Sequence, residues 1–160
     1  MRHELHQLVV DGIKYERLEG EHAVWEMARF LDDDEQFVDY LSALAVTKSI
    51  FEYVSYDSEV ERRFATQLDS RTDVKVFAKL PRWFTIDTPV GTYNPDWAIV
   101  LEDGALVYMI RETKGTRDFL KLRTSEPEKV RCGKRHFETL GVGFDVVVEA
   151  SDVTSKGRSL

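Results

Sequence analysis

Two strand-like segments separated by a short turn are the feature that most limits how this chain can fold. The segments are DWAIVL, residues 96–101, and ALVYMIRETK, residues 105–114, and the tripeptide EDG lies between them. Apolar runs of this length that flank a turn containing glycine are typical of a β-hairpin. The sequence therefore predicts an antiparallel hairpin over residues 96–114.

A helix is predicted on each side of this hairpin along the chain. Before it, Asp57 or Ser58 can cap a helix that runs through Asp69. The apolar stripe of this helix consists of Val60, Phe64 and Leu68. After the hairpin, the motif SEPE at residues 125–128 forms a capping box, and the helix is expected to end near Gly141. The inner face of this second helix is expected to consist of Val130, Gly133, Phe137 and Leu140.

Further strand-like segments precede the hairpin and follow the second helix. VKVFAKL covers residues 74–80, FTIDTPVGTY contains a turn marked by Pro89 and Gly91, and FDVVVEA covers residues 144–150. The resulting order is helix, three or four strands, helix, strand. This order predicts an α/β fold in which a mixed β-sheet is flanked by helices.

The first 50 residues are interpreted as a small N-terminal extension. Asp11-Gly12 is typical of a hairpin turn, and amphipathic patterns predict helices over residues 23–31 and 35–46. We expect residues 1–50 to be a linker remnant or a partner-docking region. Residues 51–160 are then the main domain.

Length and cysteine content limit the class of protein. A chain of 160 residues suits one domain, and no stretch approaches the roughly 18–20 apolar residues of a membrane span. The single Cys132 cannot form an internal disulfide, and the N-terminus lacks the apolar stretch of a signal peptide. These features predict an intracellular protein without a membrane association.

The charge is unevenly distributed along the chain. A net charge of −7 argues against a nucleic-acid partner, because binding to the phosphate backbone depends on Lys and Arg. Residues 1–62 contain 15 acidic and 6 basic side chains, whereas residues 111–136 contain 9 basic and 4 acidic ones. A local site for anions therefore remains compatible with the acidic whole, although mixed-charge runs are often only a solvated face.

The register of the hairpin decides whether Asp96 meets Glu112. Side chains alternate along a strand, so Glu112 and Lys114 point to one face. A three-residue turn over residues 102–104 would place Asp96 opposite Ile110 and diagonal to Glu112 on that face. A two-residue turn would place the carboxylates on opposite faces unless a bulge intervened.

Two carboxylates that converge beside a lysine indicate a site for a divalent cation. Mg²⁺ prefers carboxylate and phosphate oxygens, and Mn²⁺ can substitute for it. Such an ion can polarise a phosphodiester and activate water, while a lysine orients the water or offsets developing charge. The pattern therefore predicts metal-dependent hydrolysis. The alternative is an ordinary ion pair between Glu112 and Lys114 at an exposed strand end.

The neighbouring motifs carry a family resemblance. NPD, ETKG and the capped helix DSEVERRFA together resemble the PD-(D/E)xK nuclease superfamily. More specifically, YDSEVERRFA, VKVFAKLPRWFTIDTPVGTYNPDWAIV, RETKGT and EKVRCGKRHFE resemble the C-terminal endonuclease domain of the restriction subunit of type III restriction enzymes. The resemblance covers residues 51–144. It implies a restriction-endonuclease-like core and a magnesium-dependent DNA endonuclease.

The resemblance also implies roles for individual residues. Asp96 and Glu112 would bind the metal and act in catalysis, Lys114 would be the catalytic lysine, and the backbone carbonyl of Thr113 would be a further metal ligand. The candidates for contacts with DNA phosphates are Arg117, Lys121, Arg123, Lys129 and Arg131.

The superfamily often uses one more acid, from the helix that precedes the sheet. Glu61 lies about 60° from the centre of the apolar stripe of the first helix and Glu59 about 140°. Glu61 is therefore the expected catalytic acid, with Glu59 the alternative if the helix is rotated. Arg82 and Trp83 are expected near the DNA groove, with Trp83 more typical of a core residue.

The resemblance finally implies partners. These are double-stranded DNA, a helicase-like motor domain, a methyltransferase subunit, and a second copy for cutting both strands, in the cytoplasm of a bacterium or archaeon. The sequence has no GxxxxGK[ST] motif, so ATP would be used only by a motor domain absent from this chain. The alternatives are another PD-(D/E)xK nuclease, acting in repair or on particular DNA structures, or a catalytically silent interaction module.

Overall fold

The computed structural model describes residues 43–114 and 126–155. In chain order the elements are strands β1 (Ala43–Ala45) and β2 (Tyr53–Ser55), helix α1 (Glu59–Ser70), strands β3 (Val74–Lys79), β4 (Trp97–Glu102) and β5 (Leu106–Thr113), helix α2 (Glu126–Thr139), strand β6 (Gly143–Val147) and a 3₁₀ turn (Ala150–Asp152). The hairpin predicted around residues 11–12 and the helix predicted over 23–31 lie outside the described residues. Within the described part, no helix has the length and apolar character needed to cross a bilayer.

The main sheet has four strands in the order β3-β4-β5-β6. The β3·β4 and β4·β5 pairs are antiparallel, and β6 joins β5 in parallel after the connection through α2. This arrangement confirms the predicted mixed sheet and the order helix, strands, helix, strand. Residues 84–93 form no further regular strand; Ile86 and Tyr93 make a single antiparallel bridge around the turn at Pro89.

Helix α1 begins where the sequence predicts and buries its apolar stripe against the sheet. Ser58 is the N-cap, and its hydroxyl accepts a hydrogen bond of 3.2 Å from the amide of Glu61. Phe64 and Leu68 are buried, and the ring of Phe64 lies 5.4 Å from the ring of the fully buried Trp97. Burial of each such side chain stabilises the fold by about 1.5–3 kcal/mol. Helix α1 is therefore fixed over the strand that begins beside Asp96.

Helix α2 covers a second apolar cluster on the sheet. Val130, Gly133 and Phe137 are buried as predicted, and the ring of Phe137 stacks on that of Phe144 at 5.7 Å. The prediction for Leu140 is wrong, because this residue lies beyond the last helical turn and is 38% exposed. The Ser125 side of the predicted capping box lies outside the described residues.

The prediction of a helix over residues 35–46 is wrong at its C-terminal end, where the structure has a strand. Ala43–Ala45 is a strand whose Leu44 pairs with Val54 of β2. Helical spacing of apolar residues could not reveal this, because the backbone partners come from a segment ten residues further along. The described part of the proposed extension is also bonded to the main sheet, since the carbonyl of Lys48 accepts from the amide of Phe77 at 3.0 Å.

The last predicted strand is shorter than expected. β6 ends at Val147, residues 148 and 149 connect it to the 3₁₀ turn, and Ala150 is the first residue of that turn. The Asp152 carboxylate accepts hydrogen bonds from the amides of Val148 at 3.1 Å and Glu149 at 3.3 Å. Those amides are consequently engaged by a side chain, and the strand ends there.

Candidate active site

The β4–β5 turn sets the register of the proposed site. Trp97 pairs with Arg111 and Glu102 with Leu106, so the turn consists of residues 103–105. Gly104 in this turn has a φ of 70°, a left-handed conformation that glycine adopts without strain. Of the two alternatives, the structure has the three-residue turn. It begins one residue later than the predicted turn over residues 102–104.

This register brings the two carboxylates to the same face. Continued by one residue beyond β4, it places Asp96 directly opposite Glu112. The expected partner, Ile110, instead pairs with Ala98. The predicted pairing was therefore wrong by two residues, whereas the predicted face is confirmed, because a shift of two preserves the alternation of side chains.

Asp96 is held by the end of the neighbouring strand. Its Oδ2 accepts hydrogen bonds from the Thr113 amide at 2.7 Å and the Thr113 hydroxyl at 2.8 Å. The indole nitrogen of Trp97 donates to the same hydroxyl at 3.3 Å. Burial raises the pKa of Asp96, the two bonds from Thr113 oppose that rise, and the charge of Glu61 adds to it. The carboxylate orientation is thus fixed by its neighbours in the structure.

Glu112 is buried between two donors. Its side chain is only 6% exposed, its Oε1 lies 2.9 Å from Nζ of Lys114, and its Oε2 accepts a hydrogen bond of 2.7 Å from the hydroxyl of Tyr93. Burial and the negative charge of Asp96 raise the pKa of Glu112 to about 7, against the opposing effect of Lys114. Two mutually repelling carboxylates in a confined site favour a cation between them.

Glu61 faces this cluster and Glu59 faces solvent. The side chain of Glu61 is 13% exposed, accepts a hydrogen bond of 2.9 Å from the Asp57 amide and forms a salt bridge with Lys79. The side chain of Glu59 is 59% exposed and pairs with Arg62 at 2.7 Å. The predicted orientation of the two acids is confirmed. A catalytic role for Glu61 stays a prediction.

The donor set fits a hard cation that keeps part of its water shell. Within residues 43–114 and 126–155, no group of three or more His, Cys, Asp or Glu side chains is arranged to hold a metal ion. Mg²⁺ is commonly bound by only one or two carboxylates together with water and substrate phosphate. Asp96 and Glu112 provide such a pair. The carbonyl of Thr113 as a third ligand stays a prediction.

The basic residues proposed for DNA contact are only partly described. Arg117, Lys121 and Arg123 lie outside the described residues. Lys129 and Arg131 are on α2, where Arg131 is exposed and the Lys129 ammonium approaches Gly91. Their contacts with DNA stay predictions.

Trp83 lies in the loop after β3 and is more exposed than predicted. The Asn94 amide donates to the carbonyls of Pro81 at 3.0 Å and Phe84 at 2.7 Å, which holds the loop as a turn. Trp83 lies in this turn and is 38% exposed, so the expectation that it belongs to the core was wrong. The Arg82 side chain beside it is 91% exposed.

Sequence reasoning missed the groups that orient the two carboxylates. The Tyr93 hydroxyl contacts Glu112 across 19 residues of sequence, and the indole of Trp97 reaches Thr113 across 16. No local pattern links residues so far apart. The contact of the Thr113 hydroxyl with Asp96 could have been predicted from the hairpin register, because Thr113 directly follows Glu112, the residue opposite Asp96.

The raised pKa of Glu112 predicts how the stability of the metal-free protein depends on pH. In the unfolded chain this carboxyl titrates near 4.5, and in the folded protein near 7. The associated stabilisation is present below the unfolded pKa and is lost as pH rises through the folded pKa. Relative to the Glu112→Gln variant, the wild type should lose at most about 3 kcal/mol of unfolding free energy between pH 4.5 and 8.

Urea unfolding in the presence of a chelator measures this difference. The two proteins are compared at several pH values across that interval. Curves of unfolding free energy that run parallel for wild type and Glu112→Gln would show that Glu112 titrates normally in the folded protein.

Comparison with known proteins identifies the family. Residues 47–151 match the family model described as an endonuclease domain. The Res subunits of the type III restriction-modification enzymes EcoPI, from Escherichia phage P1, and EcoP15I, from Escherichia coli, are each 36% identical over 102 residues. That segment is 61% of this chain and 10% of either relative. No solved structure gives a significant match. The chain belongs to this endonuclease domain family.

Proposed function

We propose that this chain is a metal-dependent DNA endonuclease domain of the PD-(D/E)xK type that hydrolyses phosphodiester bonds. The observation that carries the proposal is the convergence of Asp96, Glu112 and Lys114 at one end of the β4–β5 hairpin. Membership of the endonuclease domain family supports the same reaction class. A surface ion pair alone would not account for the burial of Glu112.

Each residue would have a separate task at this site. Asp96 and Glu112 would hold Mg²⁺ or Mn²⁺, which supplies Lewis-acid activation of the phosphate and of water when bound. Lys114 would stabilise the negative charge that develops on the phosphate and would orient the attacking water. Glu61, which is paired with Lys79 and whose charge raises the pKa of Asp96, would add a further acidic group on the α1 side of the site.

Contacts with DNA would come from the basic surface around this cluster. Arg82 and Trp83 lie on a turn that Asn94, two residues before Asp96, holds in place. An exposed guanidinium and an exposed indole are suited to phosphate contact and to stacking or groove contact. Lys129 and Arg131 on α2, with Arg117, Lys121 and Arg123, would extend the phosphate contacts.

We further propose that the domain is the cleavage module of a type III restriction enzyme. This chain spans about a tenth of the length of the Res subunits it matches. Recognition and movement on double-stranded DNA would then belong to a methyltransferase subunit and to an ATP-using helicase-like motor domain. Because one metal centre attacks one strand, a double-strand cut would need two copies. The net charge of −7 is consistent with a domain delivered to DNA by partners.

Nicking of supercoiled plasmid tests the proposal. The chain should convert plasmid to the open-circular form in Mg²⁺ or Mn²⁺ at low ionic strength, and should not do so in a chelator. Absence of nicking by folded protein with either ion, over a range of concentrations, would favour the silent interaction module. Equal nicking in the chelator would contradict a metal requirement.

The two acids of α1 provide a matched pair within this assay. Glu61→Gln should lower the nicking rate by about 10-fold or more, because it removes the largely buried acidic group that α1 would add to the site. Glu59→Gln, the same change two residues away on the solvent face, should retain the wild-type rate. The reverse result would assign the acidic role to Glu59.

A further inference from the structure

We propose that Tyr93 is a positioning residue that fixes the metal-binding carboxylate of Glu112. The proposal rests on the proposed metal-dependent function and adds to it a residue outside the carboxylate and lysine set. Tyr93 would not touch the metal or the substrate. It would act through the oxygen of Glu112 to which its hydroxyl donates.

The hydrogen bond between Tyr93 and Glu112 is short and shielded from solvent. The hydroxyl lies 2.7 Å from Oε2 of Glu112, and both residues are 5% exposed. The other carboxylate oxygen, Oε1, faces Nζ of Lys114 at 2.9 Å. With a different donor on each oxygen, rotation of the carboxylate would break at least one of two contacts in a buried site.

The tyrosine acts as the donor in this pair. A phenol carries its proton at neutral pH and an ionised carboxylate can only accept, so the 2.7 Å contact is a hydrogen bond from the Tyr93 hydroxyl to Oε2 of Glu112. A neutral hydroxyl donates one hydrogen bond to Oε2 and leaves the remaining lone pairs of the carboxylate available for a cation.

Three contacts hold Tyr93 in place. Its backbone exchanges hydrogen bonds of 2.7 and 2.8 Å with that of Ile86, and its ring packs edge-to-face with the ring of Phe144, with 6.3 Å between the ring centroids. The ring also lies against Gly133 of α2, where a Cβ would come within 2.4 Å of a ring carbon. Only glycine permits this close approach, so α2 sets the position of the hydroxyl.

Groups that hydrogen-bond to a metal ligand commonly change metal affinity by 10–100-fold when they are removed. A purely structural role would instead change stability and leave affinity intact. Tyr93→Phe keeps the ring and its packing but removes the hydroxyl. Tyr108→Phe is the matched control, because Tyr108 on β5 is 61% exposed and undergoes the same chemical change.

Calorimetric titration of the full chain with Mn²⁺, without DNA, tests the proposal. Tyr93→Phe should bind Mn²⁺ about 10-fold or more weakly than wild type, and Tyr108→Phe should bind it as wild type does. Equal affinities for wild type and a folded Tyr93→Phe would overturn the positioning role while leaving the metal site in place. No binding by wild type would contradict the proposed function itself.

Gly133→Ala gives a second route to the same result. Its methyl group would displace the ring while leaving the hydroxyl present, and it should also weaken Mn²⁺ binding by about 10-fold or more. Circular dichroism establishes that each variant is folded. Wild-type affinity in a folded Gly133→Ala protein would count against the role of the ring position.

Discussion

Lys114→Ala is expected to lower Mg²⁺-dependent nicking by about 10²–10³-fold. The ammonium lies 2.9 Å from Glu112 and is directed into the cluster that contains Asp96. Its loss would remove the positive charge that offsets developing phosphate charge. It would also leave Glu112 without its cation, which raises the pKa of that carboxyl further and favours the protonated form that binds metal poorly.

The structure changes what this substitution should do to stability. An ordinary ion pair at an exposed strand end, the alternative interpretation of the sequence, would contribute little to folding. The side chain of Lys114 is only 19% exposed and its partner Glu112 is 6% exposed. We therefore expect a loss of about 1–3 kcal/mol of unfolding free energy, limited because Glu112 can take up a proton.

The matched control is Lys75→Ala. Lys75 pairs with Glu102 at 3.1 Å at the far end of the sheet, with 60% of its side chain exposed. The Lys75→Ala variant should nick plasmid at the wild-type rate, and its free energy of unfolding should lie within about 0.5 kcal/mol of the wild-type value. Undiminished nicking by Lys114→Ala would remove Lys114 from the mechanism.

Asp96→Asn is expected to weaken Mg²⁺ or Mn²⁺ binding by about 100-fold or more, because it removes one of two anionic ligands. The asparagine oxygen can still accept the bonds from the Thr113 amide and hydroxyl, so the strand end should keep its geometry. Without the charge of Asp96, the pKa of Glu112 should fall towards its ordinary value.

Calorimetry on Asp96→Asn separates loss of the ligand from loss of the fold. Asp87→Asn provides the control, since Asp87 is exposed in the loop before Tyr93 and undergoes the same neutralisation. Its affinity should equal that of wild type. An unchanged affinity in Asp96→Asn would exclude Asp96 as a ligand.

The parts of the fold that could be predicted are those with a local signal. Alternation of side chains along β5 predicted that Glu112 and Lys114 share a face. The predicted pairing of Asp96 was wrong by two residues, but a shift of two leaves Asp96 on that same face. On α1, the angle of each acid from the apolar stripe was enough to predict that Glu61 faces inward and Glu59 faces solvent. In each case the periodicity of one element was enough.

The rest depends on contacts between distant segments. Leu44 follows a helical spacing, yet its backbone pairs with Val54. Trp83 is of a residue type common in protein cores, yet it is 38% exposed in the turn that Asn94 stabilises. No local pattern assigns a role to Tyr93, and contacts with Ile86, Phe144 and Gly133 of α2 place its hydroxyl at Glu112. Tertiary structure decides each of these.

The most direct test of the proposed metal site is the anomalous difference map of a crystal of this chain soaked in Mn²⁺. A peak between the carboxylates of Asp96 and Glu112, lost in Asp96→Asn crystals, is the predicted result. Absence of an anomalous peak between the two carboxylates at saturating Mn²⁺, with Lys114 still paired to Glu112, would contradict the proposed metal site.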